Sequence, residues 1–308
     1  MANKTKIVIV GIGGVGGYFG GLLAQKYANS QEVEIVFVAR GEHLNVIQKT
    51  GLKVLKGTEH FLAKPYLATD NYSEIGEADY IIICTKSYDL RQTIEKMRPL
   101  IGDRTIILPL LNGVSASDEI LEILPNANVI KGCAFIISRL KSPGLIENSG
   151  NIAKISFGLD GPLTEEVLRL NDLCKNAGIE VNCSDMISVA VWEKFIFISP
   201  TATATSYYDK TIGAVLANHS DEVILLINEI KNLALVKGIS ISDDISEKTF
   251  ATMKSMKYDA TSSMHSDYIA NKSETELESL TGYVVREGAK FGVKTPTYAK
   301  FYEGLKAG

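Results

Sequence analysis

The chain has 308 residues, of which 45% are hydrophobic and 22% are charged, and its formal net charge is −4. This composition is ordinary for a globular protein of one or two domains. The acidic balance excludes a global positive field that would attract nucleic acid or an anionic membrane, and no apolar run approaches the roughly 20 residues of a membrane span.

The start of the chain and its cysteines favour a cytoplasmic protein. No hydrophobic segment ending in small residues precedes the first predicted strand, so we expect no signal peptide. The four cysteines, Cys84, Cys133, Cys174 and Cys183, show no CxxC spacing. We therefore expect reduced thiols and no metal site.

Short apolar runs alternate with helix-compatible stretches through the first half of the chain. Continuous β-branched runs of this kind are typical of buried parallel strands. The predicted strands are Lys6–Val10, Glu34–Ala39, Tyr80–Cys84, Thr105–Leu110 and Val129–Ile137, followed by smaller ones at Ile152–Phe157 and Gly178–Val181. The predicted helices between them are Tyr18–Tyr27, His43–Lys49 and Leu90–Met97. This alternation predicts an α/β fold with a Rossmann-type, doubly wound parallel sheet.

The pattern changes near Ser184-Asp185, where apolar residues begin to recur at helical spacing. Before that point, Pro143-Gly144 and Gly161-Pro162 bracket a predicted hairpin or loop region. Beyond it, "SDMISVAVWEKFIF", "SDEVILLINEIKNLALVKG" and "ETELESLTGYVVREGAKFG" predict three long helices with capping residues or glycine stops. We therefore predict a nucleotide-binding Rossmann domain at residues 1–184 and an all-helical substrate and catalytic domain at residues 185–308.

The segment Gly11-Ile12-Gly13-Gly14-Val15-Gly16 follows the first strand and fits the pattern G-x-G-x-x-G. In a strand–loop–helix unit, the first glycine permits the tight turn and the second lets backbone approach a pyrophosphate. The third lets the helix pack on the strand, and the helix N-terminus attracts the anion. All six residues are predicted to bind a dinucleotide, with a plain tight strand–helix turn as the alternative.

Arg40 stands at the end of the second predicted strand, in "EIVFVARGEHL". A site that prefers NAD usually carries an acidic residue here, which accepts a hydrogen bond from the ribose 2′-hydroxyl. Arginine instead suits a 2′-phosphate, because its fork of donors can bind the phosphate oxygens. The residue therefore favours NADP, with NADPH as the reductant. The alternatives are a solvated surface arginine or a different adenosine ligand, such as a methyl donor.

Three further residues carry functional groups at informative positions. Lys86 in "IIICTKSYD" and Asn112 in "LPLLNGVSA" each come just after a predicted strand. Ligands of open α/β sheets bind beyond the carboxyl ends of the strands, so both residues are predicted near the cofactor. Lys194 lies in the apolar run "VWEKFIF". A lysine there either extends to water or transfers a proton at a partly dry site.

The ordered motifs of the whole chain resemble those of the ketopantoate reductase (2-dehydropantoate 2-reductase) family. The matching segments are "GIGGVG", "ARGEHL", "CTKSYD", "LNGV", "SPG", "WEKF", "SSM..D" and "TELESLTGYVVREGAKFGVKTP". They follow the family order across residues 5–305. The family has a Rossmann domain and a helical domain, and reduces 2-dehydropantoate to (R)-pantoate with NADPH on the way to pantothenate and coenzyme A. The resemblance implies an oxidoreductase acting on a small 2-oxo acid.

The resemblance also implies roles for individual residues. Gly11, Gly13 and Gly16 match the pyrophosphate loop, and Arg40 matches the clamp on the 2′-phosphate. Lys86 and Asn112 match residues that face the nicotinamide, its ribose and the substrate, which makes Lys86 a candidate catalytic residue as well.

The catalytic and substrate-binding roles fall mainly in the helical half. Lys194 matches the general acid that protonates the carbonyl oxygen as hydride arrives at C2, where a cation stabilises the developing alkoxide. Glu276 matches the acid that orients this lysine and contacts the substrate, and Ser263 matches the serine that binds the substrate carboxylate. Taken singly, Asn112-Gly113 also fits a turn, Glu276 a solvated glutamate at a helix start, and Ser263 a helix start.

The segment after Lys194 departs from the family pattern. Where the family carries asparagines that hold the substrate, this chain has Ile198 and Ala202, or Ser199 and Thr201 if the alignment shifts by one residue. The Ser199 hydroxyl can replace part of that hydrogen bonding, so Ser199 is a candidate substrate-binding residue, whereas Ile198 offers none. Thr281 similarly replaces an amide later in the chain.

These departures leave alternatives open. One is a family paralogue that reduces a different branched 2-oxo acid, and the other is a binding protein that senses NADP without turnover. We also consider a homodimer, with Tyr207, Tyr208 and Tyr283 at its interface.

Overall fold

The computed structural model describes residues 4–307, which form two compact units. The first comprises the chain up to Leu111 together with Ala116–Ile187. The second comprises Asn112–Ser115 and the chain from Ser188 onward. The predicted domain boundary at residues 184 and 185 stays a prediction. The sequence did not indicate that the segment Asn112–Ser115, which follows a strand of the first unit, groups with the helical one.

The first unit is an α/β structure. In chain order its strands are β1 (Thr5–Val10), β2 (Val33–Val38), β3 (Leu52–Lys56), β4 (Glu59–Ala63), β5 (Leu67–Thr69), β6 (Ala78–Ile83), β7 (Ile101–Pro109), β8 (Asn128–Val129), β9 (Lys131–Ser142), β10 (Leu145–Gly158) and β11 (Glu180–Ser184). Its α-helices are α1 (Gly14–Lys26), α2 (Gly41–Thr50), α3 (Leu90–Met97), α4 (Ala116–Ile123) and α5 (Glu165–Asn176).

Six parallel strands form the main sheet, in the order β5-β2-β1-β6-β7-β8. Both faces of the sheet are covered, as the continuous apolar strands predict. Along β1, Ile7 and Ile9 pack into one apolar cluster, whereas Val8 and Val10 pack into another. Successive side chains of a strand point to opposite faces, so the two clusters lie on the two sides of the sheet. The predicted Rossmann-type sheet is confirmed.

A second sheet was not predicted. It has the order β11-β10-β3-β4, and β9 pairs antiparallel with β10. The predicted strand Val129–Ile137 is therefore wrong as one element: β8 ends at Val129 in the main sheet and β9 begins at Lys131 in the second. The break between the two strands is not visible in the sequence, because Ile130, which lies between them, is apolar and buried like its neighbours. The hairpin predicted between Pro143-Gly144 and Gly161-Pro162 lies earlier: Pro143-Gly144 is itself the turn between β9 and β10, with Gly144 at φ +74°, and β10 occupies most of the bracketed region.

The second unit is built from helices. They are α6 (Ile187–Tyr208), which begins at the unit boundary, α7 (Ile212–Val236), α8 (Ile245–Ser255), α9 (Ser263–Ile269), α10 (Tyr283–Phe291) and α11 (Pro296–Ala307). A π-helical turn, Glu278–Gly282, runs directly into α10. One apolar cluster that includes Phe195, Leu226 and Phe301 forms the core of this unit.

Two of the three predicted long helices differ from the structure at their starts. Ser220-Asp221, predicted to cap the start of a helix, lies inside α7, directly after a kink at His219 (φ −139°). Capping residues favour the start of a helix, and a new helical segment begins at this kink. The helix predicted from Glu274 begins later, with the π-helical turn at Glu278 that continues directly into α10. The glycine stops lie where expected, just beyond α7 at Gly238 (φ +78°) and α10 at Gly292 (φ +69°).

The tyrosines considered for a homodimer make ring contacts inside the helical unit. Tyr207 stacks on Phe301 with ring centroids 4.0 Å apart, and Tyr208 stacks on His219 at 3.6 Å. Tyr283 is buried. The homodimer therefore stays a prediction that these rings do not support.

Two further observations concern residues 4–307 as a whole. None of their helices combines the length and apolarity required to cross a membrane. Within the same range, no three His, Cys, Asp or Glu side chains are grouped so as to hold a metal ion.

Candidate active site

The glycine loop between β1 and α1 adopts the shape that its sequence predicts. Gly11 has φ +92°, a conformation that favours glycine, and its N–H donates to the Val38 carbonyl at 3.0 Å. A Cβ on Gly16 would lie 2.1 Å from the Gly11 carbonyl oxygen, so helix and loop touch through bare backbone. Gly11 and Gly16 are therefore required by the turn and by packing.

Gly13 differs from these two glycines. Its φ of −86° is accessible to any residue, and a Cβ built on it meets no atom within 4 Å. Neither backbone strain nor packing in the first unit explains a glycine at this position. A group that approaches the backbone from outside the protein explains it, as a pyrophosphate does in dinucleotide-binding loops.

Two hydroxyls beside the glycine loop are buried without hydrogen-bond partners within residues 4–307. They are the Oγ1 of Thr85 and the Oγ of Ser138. The backbone of Thr85 lies 3.0 Å from a Cβ built on Gly11, and the Ser138 carbonyl lies 2.2 Å from one built on Gly14. A buried unpaired hydroxyl is costly unless a ligand or water satisfies it. These residues therefore fit a phosphate-bearing cofactor.

Replacing Gly13 with Ala tests whether this position serves a ligand. The added methyl group enters open space, so we expect the free energy of unfolding to change by less than about 0.5 kcal/mol. We expect the affinity for a dinucleotide to fall at least about tenfold, because the methyl group keeps the pyrophosphate from the backbone. Thermal melting and a fluorescence titration with NADPH measure the two effects.

Gly16→Ala is the matched comparison for Gly13→Ala. Its Cβ would overlap the Gly11 carbonyl, so it should lower the melting temperature itself. Unchanged NADPH affinity in Gly13→Ala would contradict a ligand role for Gly13.

Arg40 lies between β2 and α2, at the strand end where the sequence places it. Its side chain is 82% exposed, and its guanidinium Nη2 lies 3.4 Å from the Asp89 carboxylate Oδ2. This exposed ion pair contributes little to stability. The guanidinium is therefore available to a phosphate, but Asp89 competes for it.

Lys86 follows β6, three residues after Ile83, and is half-buried. Its carbonyl accepts the Asp89 N–H at 3.1 Å, which fixes the short turn Ser87–Asp89. The structure therefore places Lys86 just beyond the carboxyl end of a strand, as the sequence predicts. Its role toward cofactor and substrate stays a prediction.

Asn112, Lys194 and Glu276 come together in the second unit. Lys194 Nζ donates to Asn112 Oδ1 at 3.1 Å, and Asn112 Nδ2 donates to Glu276 Oε2 at 3.5 Å. The orientation of the amide follows from its partners, since an ammonium only donates and a carboxylate only accepts. Lys194 is 8% exposed and Glu276 is 2% exposed. A buried cation and a buried anion are thus linked through one amide.

Local structure explains how these three side chains are held. Lys194 lies on α6, whose residues Trp192, Phe195 and Ile196 are buried, and its own side chain is buried, so little water reaches it. Glu276 precedes the π-helical turn, and its carbonyl accepts the Leu280 N–H at 3.0 Å. A Cβ on Gly113 (φ +98°) would lie 3.3 Å from the Ser279 carbonyl, so the Asn112-Gly113 segment packs on that turn. π-helical turns often occur at functional sites.

The arrangement provides a cation in a weakly hydrated environment, with a carboxylate that offsets its charge. Such a cation stabilises a developing alkoxide far more strongly than it would in water. It can also donate the proton that the alkoxide takes up. The three residues can therefore support reduction of a carbonyl group.

The two predicted serine contacts have different environments. Ser263 is exposed at the first residue of α9, directly after Ser262, whose hydroxyl accepts the His265 N–H at 3.0 Å. Ser199 is fully buried; its hydroxyl donates to the Leu280 carbonyl at 2.9 Å and pairs with the Tyr298 hydroxyl at 2.7 Å. A substrate contact by Ser199 would have to replace these core hydrogen bonds, and both serine roles stay predictions.

The sequence did not indicate that a hydroxyl of the segment after Lys194 pairs with one of the π-helical turn. Thr203 and Thr281, both fully buried, hydrogen-bond at 2.7 Å. In the sequence, Thr281 stands out only as the replacement of an amide. The signal available in the sequence was a run of threonines in an otherwise apolar helix, "SPTATATS", because buried hydroxyls require partners.

Comparison with known proteins gives consistent matches over nearly the whole chain. The family described as "Ketopantoate reductase PanE/ApbA" matches residues 7–161, and its C-terminal part, "Ketopantoate reductase PanE/ApbA C terminal", matches residues 186–308. The uncharacterized oxidoreductase YkpB of Bacillus subtilis is 30% identical over 304 residues, which is 98% of each chain. A 2-dehydropantoate 2-reductase of Lactococcus lactis is 27% identical over 312 residues, which is 97% of this chain and 96% of that one.

Solved structures show the same relationship. The 2-dehydropantoate 2-reductase from Porphyromonas gingivalis W83 is 37% identical, with a TM-score of 0.88 over 99% of this chain and 100% of that one. A D-mandelate dehydrogenase solved with NADH and anilino(oxo)acetate has a TM-score of 0.84 over 98% of each chain. At 24% identity, that second likeness shows the fold alone.

The Rossmann-type parallel sheet and its glycine loop are typical of dinucleotide-binding enzymes, oxidoreductases among them. Within that class, the chain belongs to the ketopantoate reductase family.

Proposed function

We propose that the protein reduces 2-dehydropantoate to (R)-pantoate with NADPH, in pantothenate and coenzyme A biosynthesis. The observation that carries this proposal is the buried group Asn112–Lys194–Glu276 in a chain of the ketopantoate reductase family. A protein that only sensed a dinucleotide would have no use for a buried lysine held by a carboxylate and an amide. The test is a steady-state assay of NADPH oxidation with 2-dehydropantoate and related 2-oxo acids.

In this proposal, bound NADPH supplies a hydride to C2 of the substrate. Lys194 stabilises the charge that develops on the carbonyl oxygen and donates a proton to it. Glu276 offsets the charge of Lys194, and Asn112 holds both side chains in place. Lys86 and Asn112 also contact the cofactor and substrate, and the exposed Ser263 binds the substrate carboxylate.

Arg40 is proposed to bind the 2′-phosphate of NADPH. Its exposed guanidinium supports this role, and neither Asp nor Glu stands at the end of β2, where Val38 and Ala39 precede Arg40. Asp89 is the anion that a 2′-phosphate would have to displace or accommodate, so its charge should weaken the preference for NADPH over NADH.

Substitutions of Arg40 and Asp89 should shift the cofactor preference in opposite directions. Arg40→Ala removes a charge-assisted contact worth roughly 1.5–3 kcal/mol, so KM for NADPH should rise about 10- to 100-fold while KM for NADH stays nearly constant. Asp89→Asn removes an exposed competitor worth up to about 1 kcal/mol, so NADPH should gain up to about fivefold. Steady-state kinetics with both cofactors measure this.

Arg91→Ala is the control for these two variants, because Arg91 is an exposed arginine of the same unit that pairs with Glu122. An NADPH-to-NADH ratio in Arg40→Ala equal to that of the control would remove Arg40 from the cofactor site.

A second candidate substrate is a branched 2-oxo acid without the hydroxyl of 2-dehydropantoate. Ile198 favours it, because this residue follows Lys194 by one helical turn on the same face of α6. An isoleucine offers no hydrogen bond where the family pattern has an asparagine. A substrate hydroxyl that is buried without a hydrogen-bond partner costs about 1–3 kcal/mol.

Ile198→Asn should therefore shift substrate preference toward 2-dehydropantoate. We expect the ratio of kcat/KM for 2-dehydropantoate to that for 3-methyl-2-oxobutanoate to rise about 10-fold, the value of one hydrogen bond. Ile198→Leu keeps the apolar character and is the control. A ratio that is the same in both variants would mean that Ile198 does not contact the substrate.

A further inference from the structure

His43 connects three segments of the first unit that are distant in sequence. It lies in the first turn of α2, three residues after Arg40, and is half-buried. Its Nε2 lies 2.7 Å from the carbonyl oxygen of Ile12 in the glycine loop. Its Nδ1 accepts the N–H of Gly144 at 2.9 Å, at the turn between β9 and β10. No catalytic or binding role proposed above uses this histidine.

The two partners determine the tautomer of the imidazole. The Gly144 N–H can only donate, so Nδ1 is the acceptor and the proton is on Nε2. The Nε2–H then donates to the Ile12 carbonyl. Burial lowers the pKa of His43 below its ordinary value, which keeps the ring neutral with both bonds intact.

The bond to Ile12 acts on the part of the loop that meets the cofactor. A peptide group is planar, so fixing the Ile12 carbonyl also fixes the direction of the Gly13 N–H. Gly13 is the residue at the N-terminus of α1, where the first N–H groups have no partners within the helix. These groups bind the anion in a dinucleotide loop.

We propose that His43 is a positioning residue for the dinucleotide, holding the Ile12–Gly13 peptide so that its N–H points toward the pyrophosphate. The inference rests on the proposed dinucleotide site. The other ring nitrogen has a separate, structural task, because Gly144 also ties the turn to β3 through the bond from the Lys53 N–H to its carbonyl, at 2.9 Å. The two nitrogens can therefore be tested separately.

Three variants separate the two bonds. In His43→Gln the amide nitrogen takes the place of Nε2, so the bond to Ile12 is kept and the bond to Gly144 is lost. In His43→Asn the amide oxygen takes the place of Nδ1, so only the bond to Gly144 is kept. His43→Ala loses both, and His60→Asn, at an exposed position on β4, is the control.

The experiment is a fluorescence titration of each folded variant with NADPH and with NADH, beside a thermal melt. We expect His43→Gln to bind both cofactors within about twofold of the wild type. We expect His43→Asn and His43→Ala to bind both about 5- to 10-fold more weakly, the effect of one lost hydrogen bond. The factor should be the same for both cofactors, because both carry the pyrophosphate, whereas Arg40→Ala weakens only NADPH.

Any other ranking would overturn the inference. If His43 served only the turn, His43→Asn would bind like the wild type and His43→Gln would not. Equal weakening by Gln and Asn, wild-type binding in all variants, or weakening confined to NADPH would each contradict a role at the pyrophosphate. A wild-type chain that binds neither cofactor would overturn the proposed function as well, which separates that failure from this one.

Discussion

Replacing Lys194 with Ala is expected to lower kcat by about 10²- to 10⁴-fold, the range that a positioned proton donor contributes. The expectation follows from the burial of Lys194 and from its 3.1 Å bond to Asn112, which hold the ammonium in one place. A cation fixed before the reaction stabilises the alkoxide without reorganisation. The affinity for NADPH should remain within about twofold, because no residue of the glycine loop is altered.

Two variants control for the loss of Lys194. Lys210→Ala removes an exposed lysine of the same unit and should leave kcat unchanged. Lys194→Arg keeps the charge but supplies a group that does not deprotonate in proteins, so it should recover little of the lost rate. Single-turnover kinetics with saturating NADPH isolate the chemical step. A kcat of Lys194→Ala within about threefold of the wild type would remove Lys194 from the mechanism.

Replacing Glu276 with Gln is expected to lower kcat/KM about 100-fold. The amide oxygen of Gln can still accept from Asn112, so the geometry of the group is largely kept while the negative charge is lost. Lys194 is then a buried cation whose nearby carboxylate is gone, a situation that costs about 3–5 kcal/mol in other proteins. We therefore expect Glu276→Gln to lower the melting temperature, to displace the Lys194 ammonium from its position, or both.

Kinetics and thermal melting of Glu276→Gln are compared with those of Glu274→Gln, an exposed glutamate two residues earlier. Only the buried position should affect turnover, while NADPH affinity should be the same in both variants. Equal kcat/KM in the two variants would show that the Glu276 charge is irrelevant to the reaction.

The parts of the site that sequence alone predicts are local. The glycine loop is six consecutive residues between a strand and a helix, so the spacing of its glycines predicts its backbone conformation. Arg40 and Lys86 follow strands whose apolar character is visible in the sequence. Each of these positions agrees with the structure because nearby residues determine it.

The parts that the sequence could not predict depend on residues far apart in the chain. Lys194 meets Asn112 across 82 residues, and Asn112 meets Glu276 across 164. The family resemblance grouped them by role, but no spacing rule gives their distances. His43 was missed for the same reason, since its partners Ile12 and Gly144 lie 31 and 101 residues away.

The second sheet escaped prediction because its pairing is also non-local. Strand β10 pairs in parallel with β3, from which strands β4 to β9 separate it in sequence, and with β11, which follows it after helix α5. The hydrogen bonds of the Ser199 hydroxyl also depend on residues that are distant in sequence. A polar residue close in sequence to the proposed catalytic lysine suggested a substrate contact, yet its partners Leu280 and Tyr298 are about 80 and 100 residues away, in the core.

The most direct test of the proposed function is NADPH oxidation, followed by absorbance, against a panel of 2-oxo acids. The panel contains 2-dehydropantoate, 3-methyl-2-oxobutanoate and phenylglyoxylate, with NADH as the second cofactor. The proposal predicts turnover of 2-dehydropantoate with NADPH, at a kcat/KM above that with NADH, and loss of that turnover in Lys194→Ala. Intact NADPH binding without oxidation by any acid of the panel would contradict it.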